Sequence, residues 1–400
     1  MLPVLISGGG IAGLTLAIAL ASHGIASRIF EARRERPREG AGIQLGPNAT
    51  RILSALDVAG RLAPDAVAPH CIIVNDGKGG GDLARLPLGQ WIADRHGAPY
   101  WVVQRAALQE ALWSAATAHE LIQIEMGRGV KAVGDQTDSS EITARFADGS
   151  QVTGSILVGA DGIRSRVRKF VSPDFDLDYA GVTAARALVP KDRIDSSFAE
   201  PATGVWLAPS GHIVHYPVDG GATIAIVAIA ACPEPDGGWN VSVEADEVVA
   251  RFQAMPARVR GLLDAADTWR QWGLLRPRGA VQWQRGRCIL IGDAAHPIMP
   301  YLAQGGAMAI EDAFELAATI AAADADGATS DMTDELATFG QARQSRVAKV
   351  QAASIANGQA YHLGGLAAHA RNTALRTLPG SLFMQRYDWI YGYRSDRRTH

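Results

Sequence analysis

Gly8, Gly10 and Gly13 fit the spacing G-x-G-x-x-G, which can hold a dinucleotide. The first glycine permits a tight turn and the second lets backbone approach a pyrophosphate. The third lets the following helix pack closely on the strand. Glu31 lies 18 residues beyond Gly13, where an acid accepts hydrogen bonds from a ribose and argues against a 2′-phosphate. Two later turns also carry an acid, Asp161-Gly162 and Gly292-Asp293. Each acid has two readings, a turn or helix cap on one hand and an acceptor for a cofactor hydroxyl on the other. A third group lies on His212-Ile213-Val214-His215-Tyr216. Side chains alternate along a strand, so His212, Val214 and Tyr216 share one face and Ile213 and His215 the other.

These residues need elements to hold them. Pro3 to Ser7 reads as a buried strand, Ile11 to His23 as a helix aimed at phosphates, and Ala26 to Phe30 as a second strand. Ile156 to Ala160 and Ile289 to Gly292 are further apolar strands leading into the two acids. Pro300 to Gly306 opens another helix through Ala313. Segments from the start, middle and end thus meet in one α/β nucleotide-binding domain, which must be discontinuous: 1–70, 99–180 and 276–345. Residues 71–98 and 181–275 are expected to form a mixed β-sheet substrate domain, and 346–400 a C-terminal helical region with an aromatic tail. Within them, 71–75 and 82–86 read as a hairpin, and 204–207, 212–218 and 223–229 as strands of one sheet. Helical periodicity covers 243–263 and 334–361, the latter with arginines and a lysine on one face. Gly77-Lys78 is not a phosphate loop, because Ile72 and Gly79 stand where Gly and Ser or Thr are required.

Bulk properties bound the rest. A chain of 400 residues with 48% hydrophobic and 20% charged residues describes an ordinary globule of about two domains. A net charge of −3 gives no support for nucleic acid or anionic membrane as partner. Cys71, Cys232 and Cys288 are scattered, so neither zinc nor a disulfide framework is indicated; reduced, buried thiols in a cytoplasmic protein are expected. Leu2 to Leu20 is almost uncharged, but it lacks a basic n-region and its glycines break both a signal helix and a membrane span.

Beyond single motifs, nearly the whole chain resembles the class A flavoprotein aromatic hydroxylases of the para-hydroxybenzoate hydroxylase fold. It is most similar to the salicylate hydroxylase, 3-hydroxybenzoate 6-hydroxylase and 6-hydroxynicotinate 3-monooxygenase branch. The matching segments are the glycine turn, Gly40-Ala41-Gly42-Ile43-Gln44-Leu45-Gly46-Pro47-Asn48, Gln104-Arg105-x-x-Leu108, 159–168 and 291–297. Residues 300–312 and Asp388-Trp389-Ile390-Tyr391-Gly392-Tyr393 also match. The resemblance implies that Gly8, Gly10, Gly13, Glu31, Arg105, Asp161 and Asp293 hold a tight, non-covalent FAD. Arg105 would lie on the pyrophosphate, against the plain reading of a solvated helix arginine. Gly305 and Gly306 would bring a helix N-terminus to the N1/O2 edge of the reduced flavin. Asp161 would belong to a segment serving both FAD and a transient NADH or NADPH; no second dinucleotide fingerprint is present.

The same resemblance implies a monooxygenase that uses NAD(P)H and O₂ to hydroxylate a small phenolic or N-heteroaromatic carboxylic acid through a C4a-hydroperoxyflavin, without metal. His212 and Tyr216 are then candidates for binding and deprotonating a phenol, against an inert pair at a sheet edge. Tyr301 and Gln304 are the other candidates, placed over the flavin. Ala303 departs from the usual Gly-Gln-Gly, a change the branch tolerates. Competing functions are a halogenase or reductase of the same fold, or a flavin-bound redox sensor without turnover. Trp269-Arg270-Gln271-Trp272 does not match a halogenase's W-x-W-x-I-P. The expected assembly is a monomer or homodimer.

Overall fold

The computed structural model describes residues 2–36, 41–134, 140–232, 240–279, 281–326 and 331–395. Gly40 of the Gly-Ala-Gly-Ile-Gln motif lies outside the described residues. Strand Val4–Ser7 is buried throughout and pairs in parallel with Ser27–Glu31 on one side and Leu157–Gly159 on the other. Both its faces are covered, so its sequence is a continuous apolar run rather than an alternating one. The full sheet has the order 284–285, 288–290, 157–159, 4–7, 27–31, 122–126, with only the short first strand antiparallel. Helix Ile11–Ser22 buries every residue from Ile11 to Ala21. It is apolar all round because helices Gly305–Asp326 and Arg105–Thr117 cover the side that the sheet does not.

The second sheet has eight strands in the order 241–243, 269–278, 176–190, 223–231, 211–218, 203–208, 71–76, 82–87. One face is a closed apolar core. Ala185, Ala187, Ile213, Ile224, Ile226 and Ala228 pack there against Val248, Val259 and Leu263 of two short helices. Strand Gly211–Val218 lies between 203–208 and 223–231, so it is an interior strand and not a sheet edge.

Two expectations change. The helical stretch expected over 243–263 is a strand end, Val241–Val243, followed by two helices, Ala245–Ala250 and Ala257–Asp264. Pro256 sits at the N-cap of the second; it has no N–H to donate and disfavours helix at the residue before it. Among the thiols only Cys288 is buried, while Cys71 and Cys232 are half-exposed; all three are free. The long helix is Met332–Tyr361 and is followed by helices Gly365–Thr377, Gly380–Gln385 and Asp388–Tyr391. No helix among the described residues is long and apolar enough to cross a membrane.

Candidate active site

The three glycines of the first turn do different work. Gly8 has φ +107°, and a Cβ there would lie 2.5 Å from the Ala160 carbonyl oxygen. A Cβ on Gly13 would lie 2.0 Å from the Gly8 carbonyl oxygen. These two are required by the protein's own packing. A Cβ on Gly10 would meet nothing within 4 Å, so its side of the turn is open. Gly10 is also the N-cap of helix 11–22, which has no side-chain cap and no acid in its first turn. Its orphan N–H groups and positive end are left for an anion.

One cavity of about 810 Å³ is lined by residues of both sheets. Gly8, Gly10, Glu31, Arg105, Asp161, Asp293, Gly305 and Gly306 line it together with His212, Val214 and Tyr216. The volume falls within the usual range for cofactor and ligand sites. Glu31 is buried; Oε2 accepts from Gly9 N–H at 2.9 Å and Oε1 from Arg33 N–H at 2.8 Å. Asp161 uses one of its two oxygens as a cap. Oδ2 accepts from the N–H groups of Arg166 and Val167 at 2.8 and 3.3 Å, as a cap does. Oδ1 is buried with no partner. Asp293 provides no side-chain cap to the turn 292–294 and is exposed to the cavity. Arg168 joins the two segments: Nη1 donates to the carbonyls of Asp293 and Ala294 at 3.2 and 2.9 Å. The open space at Gly10, the uncapped helix and the orphan Asp161 oxygen together fit a dinucleotide with an anionic bridge and hydroxyl groups.

Beneath the turn lies a buried ion network that motif spacing did not reveal. Asp312 accepts from Gly292 N–H and Arg343 Nε at 3.0 and 2.8 Å, and from His296. Glu311 accepts from Arg343, Arg346 and Asn48 at 2.6–3.0 Å. Burial pushes the Asp312 carboxyl up, but His296 and Arg343 overcome this and hold it near 2. The network fixes helix 305–326 to the Gly-Asp turn. Gln304 belongs to it: Oε1 accepts from Asn48 at 3.1 Å, and its side chain is not part of the cavity wall. Tyr301 is also absent from the wall; its ring lies 5.6 Å from that of His212 and against Gly358. Between them Ala303 adopts the left-handed conformation, φ +52°, where glycine is the usual occupant.

At the other end, register defines the wall. Val214 faces Val227 on the next strand, and Val227 faces Arg186 on the one after. His212 pairs with Ile229 and Tyr216 with Ala225. Val214, Val227, Ile229, Arg186, His212 and Tyr216 all line the cavity. Arg186 escaped sequence reading. Its guanidinium lies over the Trp272 ring at 4.9 Å, and its Nε is buried without a hydrogen-bond partner. No acid ion-pairs with it among the described residues, and burial lowers its pKa. Burial, then His362, pushes the His212 imidazole down to about 3. Burial pushes the Tyr216 phenol up to about 12, against the pull of Arg186 and Gln44. His215 is on the opposite face, among Phe198 and Trp206.

A family model described as FAD binding domain matches residues 1–354. The chain is 36% identical over 397 residues to the 3-amino-4-hydroxybenzoate 2-monooxygenase PtmB3 of Streptomyces platensis, covering 98% of this chain and 96% of that one. It is 34% identical over 392 residues to 3-hydroxybenzoate 6-hydroxylase 1 of Aquipseudomonas alcaligenes, covering 97% of each. Klebsiella pneumoniae HpxO, solved with FAD and uric acid, shares the fold with a TM-score of 0.82 at 24% identity over 96% of this chain and 95% of that one. The chain belongs to the FAD-binding family of flavoprotein aromatic hydroxylases, and FAD is its cofactor.

Proposed function

We propose that the protein hydroxylates a small phenolic carboxylic acid at the expense of NAD(P)H and O₂. The observation that carries this reading is the row Val214–Val227–Arg186, which crosses three strands on the cavity face. Two valines offer an apolar surface to a ring. Arg186 offers a planar cation whose Nε has no partner among the described residues, and such a fork suits a carboxylate. His212 and Tyr216 flank Val214 on the same face, where a phenolic oxygen would meet them. The two similar proteins act, by their names, on aminohydroxybenzoate and hydroxybenzoate, which agrees with this chemistry.

Bound FAD, once reduced by NAD(P)H, supplies activated oxygen to a ring carbon next to or opposite an electron-donating oxygen. Gly10, the N-terminus of helix 11–22 and Arg105 would hold the pyrophosphate, with Glu31 on a ribose and Asp293 on the ribitol. The Gly305–Gly306 helix end would stabilise negative charge on the reduced ring. The protein's remaining part is to orient the acid, exclude water and help the phenol ionise. Tyr216 keeps its proton at neutral pH and so can donate to the forming phenolate.

The test is hydroxylated product per NAD(P)H consumed across hydroxybenzoate isomers and phenol lacking the carboxylate. A hydrogen bond to a charged group contributes about 1.5–3 kcal/mol, so phenol should lose roughly 10- to 150-fold in kcat/KM. Arg186→Met should impose the same loss on the acid and erase the difference. Equal turnover of acid and phenol by the parent enzyme would sink the assignment of Arg186.

A further inference from the structure

Burial disfavours a charge on His212. It is 1% exposed, and its imidazole is held near 3. A base in that position must pass on what it accepts. Its Nδ1 is hydrogen-bonded to Nε2 of His362 at 2.9 Å, which leaves Nε2 of His212 for an occupant of the cavity. His362 comes from a distant part of the chain. It is the C-cap of the 30-residue helix Met332–Tyr361, its N–H donating to the Gly358 carbonyl at 3.2 Å. It is half-buried and does not itself line the cavity, so it joins His212 to a part of the chain that reaches solvent. The negative end of a long helix favours a cation at this position.

Three groups face the pair. Tyr301 packs on both rings, at 5.6 Å from His212 and 6.0 Å from His362. Tyr361 lies 5.1 Å from His212 in an edge contact. Arg371, from helix Gly365–Thr377, donates to the carbonyls of Ala360 and Tyr361 at 2.7 and 2.9 Å and opposes a charge on His362. Burial first, and Arg371 second, lower the His362 pKa. Asp76 in turn lies near Arg371. No carboxylate among the described residues bonds to either imidazole. The pair therefore rests neutral at neutral pH, with one proton in the bond between the rings.

We propose that His362 completes a two-imidazole proton path linking a phenol bound in the cavity to solvent. This rests on the phenolic-acid reading of the site. The phenolic O–H gives its proton to Nε2 of His212. The proton on Nδ1 of His212 moves to Nε2 of His362, and Nδ1 of His362 releases one to water. His212 ends neutral in the other tautomer, one proton has left, and the phenolate remains. When the product phenolate is reprotonated from His212, the steps run backwards and the original tautomers return. His212 never carries a charge for long, which suits its burial. His362 acts through His212 and is a positioning residue.

The test uses the FAD-loaded enzyme and 3-hydroxy-4-nitrobenzoate, a phenolic acid whose phenolate is coloured, mixed at a pH below the ionisation of its own phenol so that it arrives protonated. Rapid mixing in weak buffer with a pH-indicator dye follows phenolate formation and proton release together. A path residue changes the rate of ionisation and not its end point. His362→Gln should slow both signals by about 100-fold, the lower range for a positioned proton-transfer group. Final phenolate colour and the flavin spectrum should stay as in the parent, and added imidazole should restore the rate. His362→Asn serves as the second variant, with the same expectation. Unchanged rates in a folded variant overturn the path, as does slowing that imidazole does not rescue. If the parent itself forms no phenolate from the probe, the phenolic-acid reading fails and the path fails with it.

Discussion

The two faces of strand Gly211–Val218 carry the same residue types to different ends. His212 and His215 are three positions apart, both buried, and both pushed to low pKa by burial. On the cavity face His212 has a polar partner, His362, and a free nitrogen toward an 810 Å³ space. On the core face His215 meets Phe198 edge-on at 5.1 Å, and its Nδ1 is buried without a partner. Each face also carries a ring resting on a glycine. A Cβ on Gly42 would come within 2.5 Å of the Tyr216 ring, and one on Gly204 within 2.0 Å of the His215 ring. Burial and titration alone do not distinguish a working histidine from a structural one. What distinguishes them is a cavity on one side and an exit for the proton on the other.

The largest contrast is catalytic. General-base help contributes roughly 10²–10⁴ in rate, so His212→Asn should lower hydroxylation by that range while FAD stays bound. The loss should shrink as pH rises toward the phenol's own pKa, where solvent produces the phenolate unaided. His215→Asn should leave kcat within a few-fold of the parent. Product formation between neutral and mildly alkaline pH measures both. A catalytic loss in His215→Asn with none in His212→Asn would reverse the assignment of the two faces.

The next contrast is in stability. His215 is held near 4 by burial, and then by Arg258, against an ordinary value of 6.5. Its folded pKa lies below its unfolded one, so on acidification the unfolded chain binds the proton first. Its contribution is complete above about pH 6.5 and is lost as pH falls toward 4. At 1.36 kcal/mol per unit, the loss approaches about 3 kcal/mol. His215→Leu should therefore flatten the fall in unfolding free energy, read from urea titrations, between pH 7 and 4.5 by about 2–3 kcal/mol. Parallel curves for parent and variant would show that His215 is not held neutral by its surroundings.

The glycine turn and Glu31 were legible because their signal is local: spacing fixes a turn, a helix end and an acid within one strand–helix–strand unit. Alternation likewise separated His212 and Tyr216 from His215. It could not say which face met a cavity, because that depends on strands 203–208 and 223–231 and on the helices behind. Arg186 was hidden in strand Asp176–Pro190, where Thr183-Ala184-Ala185 and Ala187 carry no clear alternation. His362 lies 150 positions from its partner and follows a helix whose own pattern says nothing of strand 211–218. Arg343 looked like part of a charged helix face, yet it is 2% exposed, because Glu311 and Asp312 await it on another helix. Pro256, by contrast, was a visible signal against the single helix expected over 243–263.

The smallest contrast compares the two glycines. Gly42 lies on the short strand Gly42–Leu45, which pairs with Trp101–Gln104 next to Arg105. Gly204 pairs directly with His215 in the eight-stranded sheet. Adding a methyl at either site forces a ring to move, and overpacking a filled interior costs about 1–3 kcal/mol. The two variants should differ in their kinetics. In Gly204→Ala the His215 ring is buried against Phe198 on the core face, so the cost should show as a lower urea midpoint with kcat/KM little changed. In Gly42→Ala the new methyl also comes within 2.6 Å of the Ala225 Cβ, which its strand holds in place, so only the Tyr216 ring, with open cavity beside it, can yield. That movement displaces the Tyr216 phenol within the cavity wall. Stability should fall as well, because Ala225 cannot move aside, while kcat/KM for the aromatic acid falls by about tenfold, the equivalent of about 1.4 kcal/mol. Paired urea titrations and steady-state kinetics on the two variants make the comparison. If Gly42→Ala loses stability and keeps its kinetics, Tyr216 is held by packing alone and its assignment to the substrate must be withdrawn.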